Sequence, residues 1–281
     1  MSDLVDAVLP VLEEVTRLRV GDGPVIRLVT PEAWHAAHTA YTGRVVLRDI
    51  RDFAFPDAAY EVFRRAALTR HSRRTSLWRL VRGAVVETEA WEPEILLVPD
   101  ALAEWGVEDD GLMAFLAHHL ARVGQHRASG GTAFLAHETL FKEARGWPDI
   151  ATDHALHGHA RWADAEVTTR LIGRKVGMRT GRESAEMKTL MTVVGSGSGS
   201  SGSGGSGGEA DGETPQAVQD AGAVWAVDVV TLAGADTLNL AWTAPSLLPT
   251  RREIADPEQW VARVARPPGE ASPCAGCGRP A

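Results

Sequence analysis

Residues 115–123 read Phe115-Leu116-Ala117-His118-His119-Leu120-Ala121-Arg122-Val123. The stretch predicts the middle of a helix over about 110–128, opened by Asp109 and Asp110, since acidic side chains favour a helix N-terminus. Gly124 is a candidate early stop. On such a helix His118 and Arg122, four apart, share a face. A second histidine-bearing helix is predicted over about 151–172, through Asp153-His154-Ala155-Leu156-His157-Gly158-His159-Ala160. The chain before 110 has a different texture. Residues 25–29 and 94–98 predict short strands, residues 44–48 (Arg44-Val45-Val46-Leu47-Arg48) another, and residues 77–86 a strand or hairpin. Thr30 is a predicted N-cap, with Pro31 opening a helix through Tyr41. Residues 57–70 predict a further helix. Strands first and long helices afterwards give an α+β layout: N-terminal strands and helices, a helical segment carrying the histidines, and a C-terminal helical part.

The 281 residues are 44% hydrophobic and 23% charged, an ordinary globular composition. The formal charge of −8 argues against a nucleic-acid or anionic-membrane partner, which a basic patch would mark. No apolar run reaches the roughly 18 residues of a transmembrane helix. The first residues carry Asp3 and Asp6 where an export signal would carry Lys or Arg, so they predict an amphipathic helix and a cytoplasmic protein.

Residues 195–208, GSGSGSSGSGGSGG, cannot bury apolar surface and predict a flexible coil extending to about 215. An engineered linker and a natural low-complexity insertion fit the run equally. The expected organisation is a core over 1–194, the flexible segment over 195–215, a helical segment over 216–266 packing back on the core, and a disordered tail over 267–281. In the third part, Asp256 followed by Pro257 is a predicted helix start. The tail holds the two cysteines, Cys274 and Cys277, as a lone CxxC. That pair reads as part of an unstructured tail or as a half-site completed by another chain.

Seven of the ten histidines lie between 118 and 159: His118, His119, His126, His137, His154, His157 and His159. Histidines gathered on two helices are what a helix-borne metal site would produce. The zinc pattern His-Glu-x-x-His puts two ligands on one face with a general base between them. Here His118 stands in the first ligand position, His119 in the place of the Glu and Arg122 in the place of the second His. A guanidinium stays charged, cannot ligate and repels a metal ion. His118, His157 and His154 are the candidate metal ligands, His119 the candidate base, and Arg122 the candidate anchor for an anionic group. His137-Glu138 begins like the zinc pattern, but Phe141 stands where its second His should be, and it is read as coincidence. His35, His38 and His71 show no pattern and predict surface positions. No Gly-rich phosphate loop follows a strand, and no Gly-x-Ser-x-Gly elbow occurs.

Three stretches carry a resemblance. They are Leu116–Val123, Asp153–Ala160 with Trp162-Ala163-Asp164 following, and a C-terminal set running from Leu238-Asn239-Leu240-Ala241-Trp242 through Leu248-Pro249-Thr250, Glu253-Ile254, Asp256-Pro257 and Trp260 to Arg263. Together they resemble an actinobacterial family of zincin-like, zinc-dependent metallopeptidases. The resemblance implies a zincin-like fold and zinc held by two histidines of the first helix and a later Glu. Carried over by position, only His118 matches. His119 replaces the base, Arg122 the second His, and His157 the Glu.

Two functions follow from these substitutions. The first is a metallopeptidase-like scaffold without peptidase activity and without metal, a pseudoenzyme that keeps a cleft for a peptide or small-molecule ligand. The second is a metalloenzyme, hydrolytic or otherwise, with zinc or another transition metal on a rearranged His-rich site. A purely structural or partner-binding role, with the histidines incidental, is a third.

Overall fold

Strand β3 (Pro93–Leu97) is the middle of a three-stranded sheet, with β1 (Val25–Leu28) parallel on one side and β2 (Gly83–Glu87) antiparallel on the other. The computed structural model that shows this describes residues 1–21, 23–76, 78–177 and 215–265. Nearly all of the expected flexible segment, the tail with Cys274 and Cys277, and the side chain of His71 lie outside the described residues.

The sheet has a helix on each face. Successive strand residues point to opposite sides. Ile95 and Leu97 therefore join Phe115, Leu116 and Leu120 of helix α6 (Asp109–Ser129), while Leu96 and Val98 join Trp34, Tyr41 and Val45 of helix α2 (Pro31–Asp52). Gly83 is where β2 passes closest to α6, since a Cβ there would lie 2.8 Å from both the Leu96 carbonyl and the Phe115 ring.

Three local expectations need correction. The strand expected at 44–48 lies inside α2, which runs to Asp52 and does not stop at Tyr41. Its buried residues Trp34, His38, Tyr41, Val45 and Asp49 recur every three or four positions, a helical stripe that outweighs the β-branched pair Val45-Val46. Residues 78–81 form a short helix, α4 (Trp78–Val81), so the strand expected from 77 begins only at Gly83. Gly124 does not stop α6. A Cβ there would lie 3.1 Å from the Leu18 Cβ, so the glycine lets the segment after helix α1 (Ser2–Thr16) lie against α6. The helix ends at Gly130, whose φ of 55° supplies the left-handed cap. Helix α3 (Ala59–Ser76), helix α5 (Pro99–Glu104) and helix α7 (Thr132–Glu138) complete the first part.

Helix α8 (Thr152–Ile172) packs on α6, and helix α9 (Pro215–Ala233) crosses α8 where Gly158 meets Gly222. A Cβ on Gly158 would fall 2.1 Å from the Gly222 carbonyl carbon, and a Cβ on Gly222 2.0 Å from the His154 carbonyl oxygen. Only paired glycines permit that approach. Helix α10 (Ala235–Leu238), helix α11 (Arg251–Ala255) and helix α12 (Pro257–Val264) follow. Thr250 and Glu253 cap α11 reciprocally, and the Asp256 side chain accepts from the Gln259 N–H at the start of α12. One apolar cluster joins Val8 and Leu12 of α1, Leu116 of α6, Leu156 of α8, Trp225 of α9, Trp242, and Trp260 of α12. Asn239 donates to the Thr16 carbonyl (2.8 Å), fastening the end of α1. Among the described residues no helix is long and apolar enough to cross a membrane.

Candidate functional site

The crossing of α6 and α8 brings together residues that are distant in sequence. His118 reaches Asp164 of α8, with Nδ1 3.2 Å from Oδ2. Asp164 lies seven residues after His157, two turns on and on the same face. Burial pushes the Asp164 carboxyl well above its ordinary range against the opposing charge of Arg161. Burial, then His119, His157 and Arg122, hold His118 well below the usual imidazole value. Both shifts favour the uncharged forms of the two groups.

Arg122, one turn beyond His118, places Nη1 3.0 Å from Nδ1 and 3.2 Å from Nε2 of His157. Its guanidinium lies 4.8 Å from the centre of the Phe134 ring of α7. The His118 and His157 rings are near-parallel with centroids 6.2 Å apart. His154 is buried one turn before His157, with its carbonyl facing Gly222. His119 packs edge-on against Phe115 at 4.4 Å, and neither of its ring nitrogens has a hydrogen-bond partner.

One expectation about the histidines fails, the surface position of His38. His137 is part of the cluster: its ring is 5.8 Å from that of His157, its Nε2 lies 3.2 Å from Glu138 Oε1, and its Nδ1 pairs with Asp153. Helix α7 ends at Glu138, so His137-Glu138 does not continue as a helical zinc pattern. His38 is buried, its ring 4.3 Å from Trp34, because it belongs to the inward stripe of α2. Burial opposes protonation of His137, but the charges of Asp153 and Glu138 and their hydrogen bonds outweigh it, so the imidazole is raised.

Other polar residues around the cluster are structural. His126 and Arg48 both hold buried Glu87, at 2.8 and 3.3 Å, tying α6 and α2 to β2. Gln125 donates to the Leu156 carbonyl (3.0 Å) and to His159 Nδ1 (2.8 Å). Sequence reasoning gave Asp164, His137, Asp153 and Arg82 no role. Only Asp164 carried a legible signal, its two-turn spacing from His157.

Zinc does not fit these residues. A zinc site needs three or four converging N, O or S donors. Both nitrogens of His157 face a permanent cation, and among the described residues no group of three His, Cys, Asp or Glu could hold a metal ion.

The comparisons fall on this geometry unevenly. A family model of zincin-like metallopeptidases matches residues 213–261, which is α9 to α12 and not the histidine helices. The third stretch named above lies largely within that match, and the first two lie outside it. Among solved structures, the chain is similar to a provisionally assigned hydrolase with a novel fold from Chloroflexus aurantiacus, at 15% identity and a TM-score of 0.55, over 95% of this chain and 89% of that one. At that identity the likeness is one of fold. No curated protein matches the chain.

Proposed function

We propose that the chain is a metallopeptidase-like scaffold that binds a peptide or a small molecule and does not hydrolyse peptides. The observation that carries this reading is the contact of Arg122 with His157. A guanidinium occupies the place where a second ligand would stand, beside a ring that would otherwise be a donor. Arg122 is the anchor for an anionic group of the ligand, through the planar fork that suits carboxylates. On this reading the protein acts without a resident metal, on neither nucleic acid nor membrane.

The rearranged His-rich metal site remains a second reading, favoured by the contiguous His118, His157 and His137 rings. Elemental mass spectrometry of the purified full chain decides between the two, with His118→Ala and His157→Ala alongside. The expected result is no stoichiometric metal, even after incubation with zinc, iron or copper, and no cleavage of a peptide library. Near-stoichiometric metal lost in both variants would establish the second reading instead.

A further inference from the structure

Nothing in the proposed function uses His119. The residue is 8% exposed, and among the described residues neither ring nitrogen is hydrogen-bonded. A buried polar group left without a partner carries an uncompensated desolvation penalty. Phe115 covers one side of the ring. Arg122 stands on the same helix one turn on. Arg82, after α4, holds its guanidinium 5.6 Å from the centre of Phe115 and 4.6 Å from that of Trp105. Both arginines are buried, and neither loses its proton in a protein.

We propose that His119, Arg82 and Arg122 bind the carboxylate of an anionic ligand, with the imidazole N–H and the guanidinium N–H groups donating to its oxygens. This rests on Arg122 as the anchor and adds the ligand's chemical class and two further residues. A neutral imidazole offers one donor nitrogen and one acceptor. The permanent charges of the two guanidiniums favour an anion next to its N–H. A carboxylate suits the place better than a phosphate dianion. It loses less hydration on entering a buried site, and its two coplanar oxygens match a guanidinium fork. The carboxylate can belong to a free small acid or to the C-terminus of a peptide.

The test is calorimetric titration and thermal unfolding of the full chain at constant ionic strength. The probes are acetate, an N-acetylated dipeptide with a free C-terminus, the same dipeptide amidated, and inorganic phosphate. Binding of the free-acid dipeptide but not its amide is expected. Acetate binding as well points to a small acid, and its absence to a peptide end. His119→Phe keeps the ring shape and removes both nitrogens, so it should fold at least as stably and bind about tenfold or more weakly, a change of ~1.4 kcal/mol. Arg82→Gln should weaken the same probe and serves independently should His119→Phe not fold. Three results each overturn the proposal: no carboxylate bound, phosphate bound more tightly than either carboxylate, or unchanged affinity in a folded His119→Phe. If carboxylate binding is absent from a metal-free, non-hydrolytic protein, this inference alone fails. Stoichiometric metal would instead sink the proposed function.

Discussion

A single guanidinium separates the two chemistries open to α6. Arg122 cannot deprotonate, so it fixes a positive charge against His157 at every pH the fold survives. Combining Arg122→His with His119→Glu and His157→Glu is predicted to restore stoichiometric zinc, measured by elemental mass spectrometry. If the triple variant stays metal-free after zinc exposure, the positional correspondence with zinc peptidases is wrong. The residues in this argument were legible because helical spacing exposes them: His118 with Arg122, and His154 with His157. Asp164 was legible in principle, two turns beyond His157. Arg82 and His137 were not. Their places depend on how α4 and α7 pack, and no local spacing encodes that.

The elements show where local signals suffice. Caps were read well, with Thr30 before Pro31 and Asp256 before Pro257 each placed at a helix start. The error at 44–48 came from reading five residues alone, when the stripe that makes them helical begins at Trp34. In the α11 cap, Glu253 is pushed up by burial, but Arg263 and the Thr250 N–H outweigh that and hold it below its ordinary value of 4.5. A depressed carboxylate stabilises the fold above 4.5, and that contribution is lost as pH falls through the depressed value. Glu253→Gln is thus expected to cost about 1 kcal/mol at pH 7 and to flatten the acid limb of a urea-unfolding series, since capping changes are of that size. An unchanged acid limb would show that Glu253 titrates alike in both states.

The α8–α9 crossing gives a sharper contest between effects. Alanine for glycine inside a helix is worth roughly 1 kcal/mol in its favour. At Gly222 the new methyl group would meet the His154 carbonyl oxygen at 2.0 Å, and backbone cannot swing away as a side chain can. Overpacking of this kind costs about 1–3 kcal/mol, so Gly222→Ala should lower the urea midpoint. A raised midpoint would mean that the helices separate easily.

At the scale of the molecule, one core is built from both ends of the chain. Trp225, Trp242 and Trp260 share a cluster with Leu12 and Leu116, so the first part has no complete apolar core without the last. A chain ending at 194 is predicted to lack near-UV circular dichroism and cooperative unfolding, and the separate segment 215–265 is expected to restore both when added. Cooperative unfolding of the shortened chain alone would contradict this. Buried Glu87, held by His126 and Arg48, joins the sheet to both covering helices; such a carboxylate stabilises only while paired. The α+β class and the two long histidine helices were legible because both helices are long, uninterrupted by proline and opened by acidic residues in the first turn. The three-stranded sheet order was not, because β1 pairs with β3 across some 60 residues of helix and strand.

The hydrogen bond from Asn239 to the Thr16 carbonyl has a consequence for the timing of synthesis. At about 5–20 residues per second, a ribosome needs roughly 10–45 s to add the residues that separate the two partners. For that interval the last turn of α1 waits for a donor not yet made, with Leu12 and Val8 beside it and the tryptophans that cover them still to be added. The nascent chain therefore carries the apolar face of α1 long before the residues that cover it are made, which makes α1 a segment a chaperone would be expected to hold.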